Sequence, residues 1–134
     1  MKEINVKTSS RSELIDITPK VSAFVKESRL RDGTVVVFVP HTTAGVTINE
    51  NADPSVKADI LMELDKNIPH DDNYTHLEGN SAAHIKSSLM GPSLTVIVEG
   101  GRLVLGTWQG IFFCEFDGPR NRKCYLKAVG TGGE

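Results

Sequence analysis

The stretch that most confines this chain is Thr34 to Val39, TVVVFV, in which five of six residues are β-branched. Branching at Cβ favours extended backbone, and a nearly unbroken apolar run has no polar side to turn toward water. The run therefore predicts a strand covered on both faces. Pro40 stops it, because proline has no amide to continue a ladder. His41 follows at once, and so is predicted at the rigid end of a central strand, on an open edge.

Other segments read as partners for such a strand. Lys2 to Thr8 alternates polar residues with Ile4 and Val6, Glu13 to Thr18 also alternates, and Gly45 to Glu50 reads GVTINE; each predicts a short strand. Ser93 to Glu99 and Arg102 to Leu105 flank Gly100-Gly101, the pattern of a tight hairpin. Gly110 to Phe116 puts Phe112, Cys114 and Phe116 on one face. Arg120 to Val129, carrying Cys124, Leu126 and Ala128, is predicted to return antiparallel across the Asp117–Arg120 turn, and Gly130 to Glu134 to fray.

Three helices are expected between these strands. Thr18-Pro19 gives a cap and a first-turn proline, with Val21, Phe24, Val25 and Leu30 as a stripe that ends before Asp32-Gly33. Asp53-Pro54 repeats the start signal, and Val56, Ile60, Leu61 and Leu64 form a face running to about Asn67. A shorter helix begins at Asn80 or Ser81, carries Ala82, Ala83, Ile85 and Leu89, and stops at Gly91-Pro92. Strands outnumber helices and do not alternate with them. The expected class is α+β, a largely antiparallel, curved sheet or sandwich with two to three helices on one side, forming one domain over residues 1–134.

Composition narrows the function classes. With 39% apolar and 24% charged residues, a chain of 134 can bury a core without staples. A formal net charge of −2 gives no general attraction to nucleic acid or to an anionic membrane. The one basic cluster, Arg120, Arg122 and Lys123, is small. No apolar run is long enough to span a bilayer, and the start lacks a signal-peptide pattern, so a cytoplasmic location is expected. The two cysteines form no CxxC motif and read as buried thiols.

The four histidines fall in two polar runs. Pro69 to His84, PHDDNYTHLEGNSAAH, holds His70, His76 and His84 with Glu78 and Asn80; His41 opens HTTAGVTINENAD, which supplies Thr42, Thr43, Glu50, Asn51 and Asp53. Imidazoles grouped with carboxylates suit metal binding and proton transfer. Asn80 and His84 stand four residues apart, about one helical turn, so a loop and a helix can aim Asn80, His84 and His76 at one point. His41, His76 and His84 make a candidate metal set, with Glu50 or Asp53 as base or further ligand. Asp53 also has a structural reading as a helix cap. His70, beside Asp71 and Asp72, reads as a solvated turn. Gly106-Thr107-Trp108-Gln109-Gly110 sets the only tryptophan between two hairpins, either as a core residue or as a wall for a planar ligand.

The runs HTTAGVTINENADP, YTHLEGNSAAHIKSSLMG and LVLGTWQGIFFCEFDGPRNR, in this order over essentially the whole chain, resemble the YjbQ-like family of small bacterial and archaeal proteins. The resemblance implies a compact α+β protein with a sandwich-like core, assembled as a homotrimer with a polar site near a subunit boundary. It also implies a secondary thiamine-phosphate synthase activity, with a divalent metal, zinc or magnesium, or an anion near the histidines. His41, Glu50, Asp53, His76, Asn80, His84, Thr107, Trp108 and Gln109 match the family's polar pattern. The expected function is a metal-associated enzyme acting on a small phosphorylated substrate. Its rivals are a metal-dependent hydrolase of a phosphorylated small molecule and a metal- or ligand-binding protein without turnover.

Overall fold

A computed structural model describes residues 1–132, in which eight strands and three helices alternate irregularly. The strands are β1 (Lys2–Lys7), β2 (Glu13–Asp16), β3 (Leu30–Phe38), β4 (Ala44–Glu50), β5 (Ser93–Glu99), β6 (Arg102–Leu103), β7 (Gln109–Glu115) and β8 (Asn121–Gly132). The helices are α1 (Thr18–Ser28), α2 (Pro54–Asn67) and α3 (Ser81–Met90). One sheet has the order β1-β8-β3-β5-β6 and the other β2-β7-β4, with every pairing antiparallel. The fold class is α+β, as the pattern predicts.

The two sheets face each other across the main core. Val35 and Val37 of β3, Val96 and Val98 of β5 and Leu126 of β8 pack against Ile111 and Phe113 of β7, and Val21 and Val25 of α1 close one end. A second core lies behind the small sheet. There Leu14, Phe112, Cys114 and Phe116 meet Ala83, Met90 and the α2 face of Ile60, Leu61 and Leu64. Each large side chain removed from water in these layers contributes about 1.5–3 kcal/mol.

The strand covered on both sides is thus β7, where residues 110–115 are all buried, and not β3. In β3 Val35 and Val37 point inward, as does Val39 just after it, while Phe38 is exposed and stacks on Tyr125 at a centroid distance of 6.4 Å. Valine alone could not distinguish a doubly covered strand from one with an apolar outer face.

Several expected boundaries shift for local reasons. Arg29 takes a left-handed conformation (φ 60°) and ends α1, so Leu30 belongs to β3 and pairs with Gly132. Gly130 to Gly132 accordingly extend β8; Gly133 and Glu134, also expected to fray, lie outside the described residues. Thr18 does not cap α1, because its hydroxyl accepts the Ile111 amide at 2.8 Å. In α3, Ile85 and Leu89 are exposed while Ala82, Ala83, Lys86 and Ser87 are buried, with Lys86 paired to Asp65.

The largest departure concerns β7 and β8. They were expected to form a hairpin, yet the chain leaves the small sheet after Glu115, turns through a cis Gly118–Pro119 peptide and enters the large one. Cys114 and Cys124 consequently lie in different cores, both free and buried. Burial pushes the Cys114 thiol up to about 12 and Cys124 to about 11. Neither thiol is expected to react with a disulfide reagent at pH 8 in the folded protein, and both should react once guanidinium unfolds it. Titration with Ellman's reagent checks this.

Candidate functional site

The end of β3 builds one wall of the site. Its ladder with β8 runs to Phe38↔Tyr125, after which Pro40 breaks the pairing. The His41 ring then serves the strand: its Nε2 accepts the Lys123 amide at 3.0 Å. An accepting Nε2 carries a lone pair, so the neutral ring keeps its proton on Nδ1. Burial is the main influence holding His41 below the ordinary histidine pKa of 6.5, followed by the positive field of Arg122, with Glu115 partly opposing.

This shift sets a pH dependence. Above pH 6.5 the ring is neutral in the folded and unfolded chain alike. As pH falls through 6.5 the unfolded chain takes the proton first, so stability declines until the lower folded pKa is passed. His41→Asn should therefore flatten the fall in urea midpoint between pH 7 and pH 5.

A buried ion pair fastens β8 to the end of β7. Arg122 Nε donates to Glu115 Oε1 at 2.8 Å and Nη2 bonds Glu115 Oε2, while Nη2 also reaches Thr43 Oγ1 at 2.8 Å. Glu115 further accepts from Thr8 Oγ1 at 2.8 Å and from the Asp117 amide at 3.0 Å. Burial alone would raise the Glu115 pKa. The hydrogen bonds from Arg122, Asp117 and Thr8 together outweigh it and hold the carboxylate below its usual range.

The loop after α2 and the first turn of α3 form the opposite wall. The rings of His76 and His84 meet edge to face with centroids 5.4 Å apart, and Glu78 Oε2 lies 4.0 Å from His76 Nε2. Asn80 Nδ2 donates to Asp117 Oδ2 at 2.9 Å, and Arg120 Nη2 bonds the same oxygen at 2.9 Å. Among the described residues, Asn80 Oδ1 is buried with no hydrogen-bond partner. A cavity of about 430 Å³ gathers Thr42, Thr43, Glu78, Asp117, Arg120 and Arg122 around His41, His76, Asn80 and His84.

Part of this wall lies beyond local sequence signals. Asp117 reads in the sequence only as a turn residue, and Arg120 and Arg122 only as a small basic cluster. Their side chains enter the cavity because β8 starts in the sheet opposite β7, a crossing that spacing does not reveal.

The remaining candidates stand elsewhere. β4 begins beside the cavity, with Ala44 opposite Glu115, and ends with Glu50 opposite Gln109. Seven residues at about 3.3 Å each place Glu50 roughly 20 Å from the histidines. Asp53 caps α2, its Oδ1 accepting from the Ser55 amide at 2.9 Å and hydroxyl at 2.7 Å, which lowers its pKa. Gln109 closes its own loop, its Oε1 accepting the Gly106 amide at 2.7 Å. Thr107 is exposed, and Trp108, at 62% exposure, is no core residue. His70 is exposed too.

The family model described as UPF0047 protein YjbQ-like matches residues 2–131. The chain belongs to the YjbQ-like family. It is 61% identical to a UPF0047 protein of Methanocaldococcus jannaschii, covering 93% of this chain and 91% of the relative. UPF0047 protein YugU of Bacillus subtilis is 56% identical, with coverage of 97% and 99%. A crystal structure of an uncharacterized YjbQ/UPF0047 protein from Clostridium acetobutylicum superposes with a TM-score of 0.95 at 58% identity, over 96% of this chain and 100% of that one. The hypothetical protein APE1520 of Aeropyrum pernix gives 0.93 at 38% identity, over 97% and 98%. These likenesses cover the β3 end, the α3 arm and the β7–β8 crossing of the YjbQ-like fold together.

The donors at the site bear on a metal. Among the described residues, no three histidine, cysteine, aspartate or glutamate side chains stand ready as a metal cluster. The set that fits best is His76 and His84 with the unpartnered Asn80 Oδ1. His41 joins such a set only by releasing the Lys123 amide. Among the described residues, no helix is long and apolar enough to cross a membrane.

Proposed function

We propose that this YjbQ-like chain is a small transferase joining phosphorylated heterocyclic intermediates in the manner of a thiamine-phosphate synthase, with the His41–His84 cavity receiving the pyrophosphate. The observation that carries this reading is the convergence of three imidazoles and the Arg120 guanidinium on one cavity, a set of nitrogen donors that suits a phosphate group, while Asn80 Oδ1, an acceptor unpaired among the described residues, suits a cation beside it.

In the reaction the bond from the pyrimidine methylene carbon to a pyrophosphate oxygen breaks, and its electron pair leaves on that oxygen. The thiazole nitrogen gives its lone pair to the same carbon and becomes cationic, so no proton has to move. The chain's task is to orient two rings and balance the charge of the leaving group. Arg120, about half exposed and anchored through Asp117, offers its guanidinium to the phosphates. The neutral His41 offers Nδ1–H, and Thr42 adds a hydroxyl at the rim. A divalent ion, zinc or magnesium, supplies further charge neutralisation when bound, and His76, His84 and Asn80 Oδ1 would hold it.

A homotrimer belongs to the same proposal. Glu50, Thr107 and exposed Trp108 stand one strand-length from the cavity, too far to serve it within one chain. Joining that end of one copy to the cavity of the next is a head-to-tail contact, and such contacts close into rings under rotational symmetry. Trp108 of a neighbouring copy would then wall the ring-binding part of the pocket. The exposed outer face with Phe38, Ile97 and Val129 favours assembly as well.

The test combines purified protein with the pyrimidine pyrophosphate and thiazole phosphate precursors of thiamine, beside a panel of phosphate monoesters. Metal-dependent coupling is expected, and light scattering should give three times the monomer mass. Faster hydrolysis of a monoester by many orders of magnitude would favour the hydrolase instead. Tight ligand retention with no turnover on any candidate would favour a binding protein.

A further inference from the structure

A second cavity, about 870 Å³ in volume, opens at the other end of β3. Leu30 begins that strand and Phe38 ends it, so eight steps of about 3.3 Å put this cavity roughly 26 Å from the histidine site. Its volume is within the range of small-molecule pockets. Val25, Leu30, Leu103 and Leu105 supply its apolar surface.

Its charged lining is of one sign. Lys26, Arg29, Arg31 and Arg102 line it together, and among the described residues no aspartate or glutamate does. Among the described residues none of these four forms a salt bridge. The neighbouring carboxylate of Asp32 is engaged by the Gly100 amide at 3.3 Å. Arg29 also holds a left-handed backbone, a conformation in which glycine or asparagine is usual. Four cations round one concavity repel each other, and a multiply charged anion relieves that repulsion.

We infer that this cavity binds a phosphorylated aliphatic small molecule, its phosphate held by the arginines and its carbon chain lying on the valine and leucine surface. Phosphate fits better than a single carboxylate because three guanidinium forks and an ammonium offer more donors and charge than one carboxylate can match. An aliphatic body fits better than a nucleobase because no aromatic side chain lines the cavity for stacking. The site stands apart from the proposed transferase cavity and does not depend on its chemistry.

The experiment follows backbone amide resonances of the intact protein during titration with hexyl phosphate, and separately with inorganic phosphate and hexanol. Saturable shifts are expected at Leu30, Gly100, Gly101 and Leu103, with at least tenfold tighter binding of hexyl phosphate than of inorganic phosphate and no saturation by hexanol. The double substitution Arg29→Gln with Arg102→Gln, at two exposed positions, should weaken that binding at least tenfold. Shifts confined to residues around His41 and His84 overturn the assignment, as does equal affinity for phosphate with and without the hexyl chain, or unchanged binding by the double variant. A response seen only after adding phosphatidylglycerol vesicles also overturns it, in favour of a membrane-facing surface.

Discussion

Arg122→Ala should destabilise the protein by about 3–5 kcal/mol, the range for removing one partner of a buried ion pair. The size follows from what is left behind. Glu115 has 0% exposure and its side chain is reached by Arg122, Thr8 and the Asp117 amide. Without the guanidinium its charge stays buried with two neutral donors, and Thr43 loses its bond to Nη2. Urea denaturation at pH 7 measures the loss. Arg122→Lys keeps the charge but not the fork, so an intermediate loss is expected. The wild-type contribution also has a defined pH window. Because the folded Glu115 pKa is depressed, its stabilisation is present above the unfolded value near 4.5 and is lost as pH falls through the lower folded value. Arg122→Ala should remove that acid-side slope.

The second large effect is on activity. His84→Ala should lower the rate of thiamine-precursor coupling about 10²- to 10³-fold, the usual range for losing one group that serves to balance developing charge, since His84 would hold the ion that neutralises the pyrophosphate. His84 is half-buried in the first turns of α3 and its ring meets that of His76 at the cavity, so urea stability should change little. Asn80→Ala removes the unpaired Oδ1 and also the bond to Asp117 that steadies Arg120. A weaker rate with raised KM is expected there. Coupling by His84→Ala at the wild-type rate would remove the histidine cavity from the mechanism.

Local signals in the chain are legible where one residue decides one event. Asp53-Pro54 starts α2 because the carboxylate meets the Ser55 amide and the proline needs no partner. Gly100-Gly101 turns β5 into β6 with both residues at positive φ. Thr18 shows the limit of such reading: the same Ser/Thr-Pro signal marks a helix start, but its hydroxyl was claimed by Ile111, ninety-three positions away. A local preference of about 1 kcal/mol for capping is readily outweighed when another buried amide needs an acceptor.

The candidate site divides along the same line. The spacing of Asn80 and His84 placed both at the start of one helix, and His76 in the loop before it came within ring contact. Asp117, Arg120 and Arg122 were invisible as site residues, since their entry depends on β8 leaving the sheet of β7.

The chain's own order of residues thus determined its α+β class, its helix starts, its tight turn and the grouping of histidines, each through interactions within a few positions. Only the tertiary structure decided which strand is covered twice, that Cys114 and Cys124 lie in separate cores, and that Glu50 and Trp108 stand a strand-length from His41. The physical reason is the period of two in a strand: it fixes which residues share a face, but burial of that face depends on which sheet the strand joins.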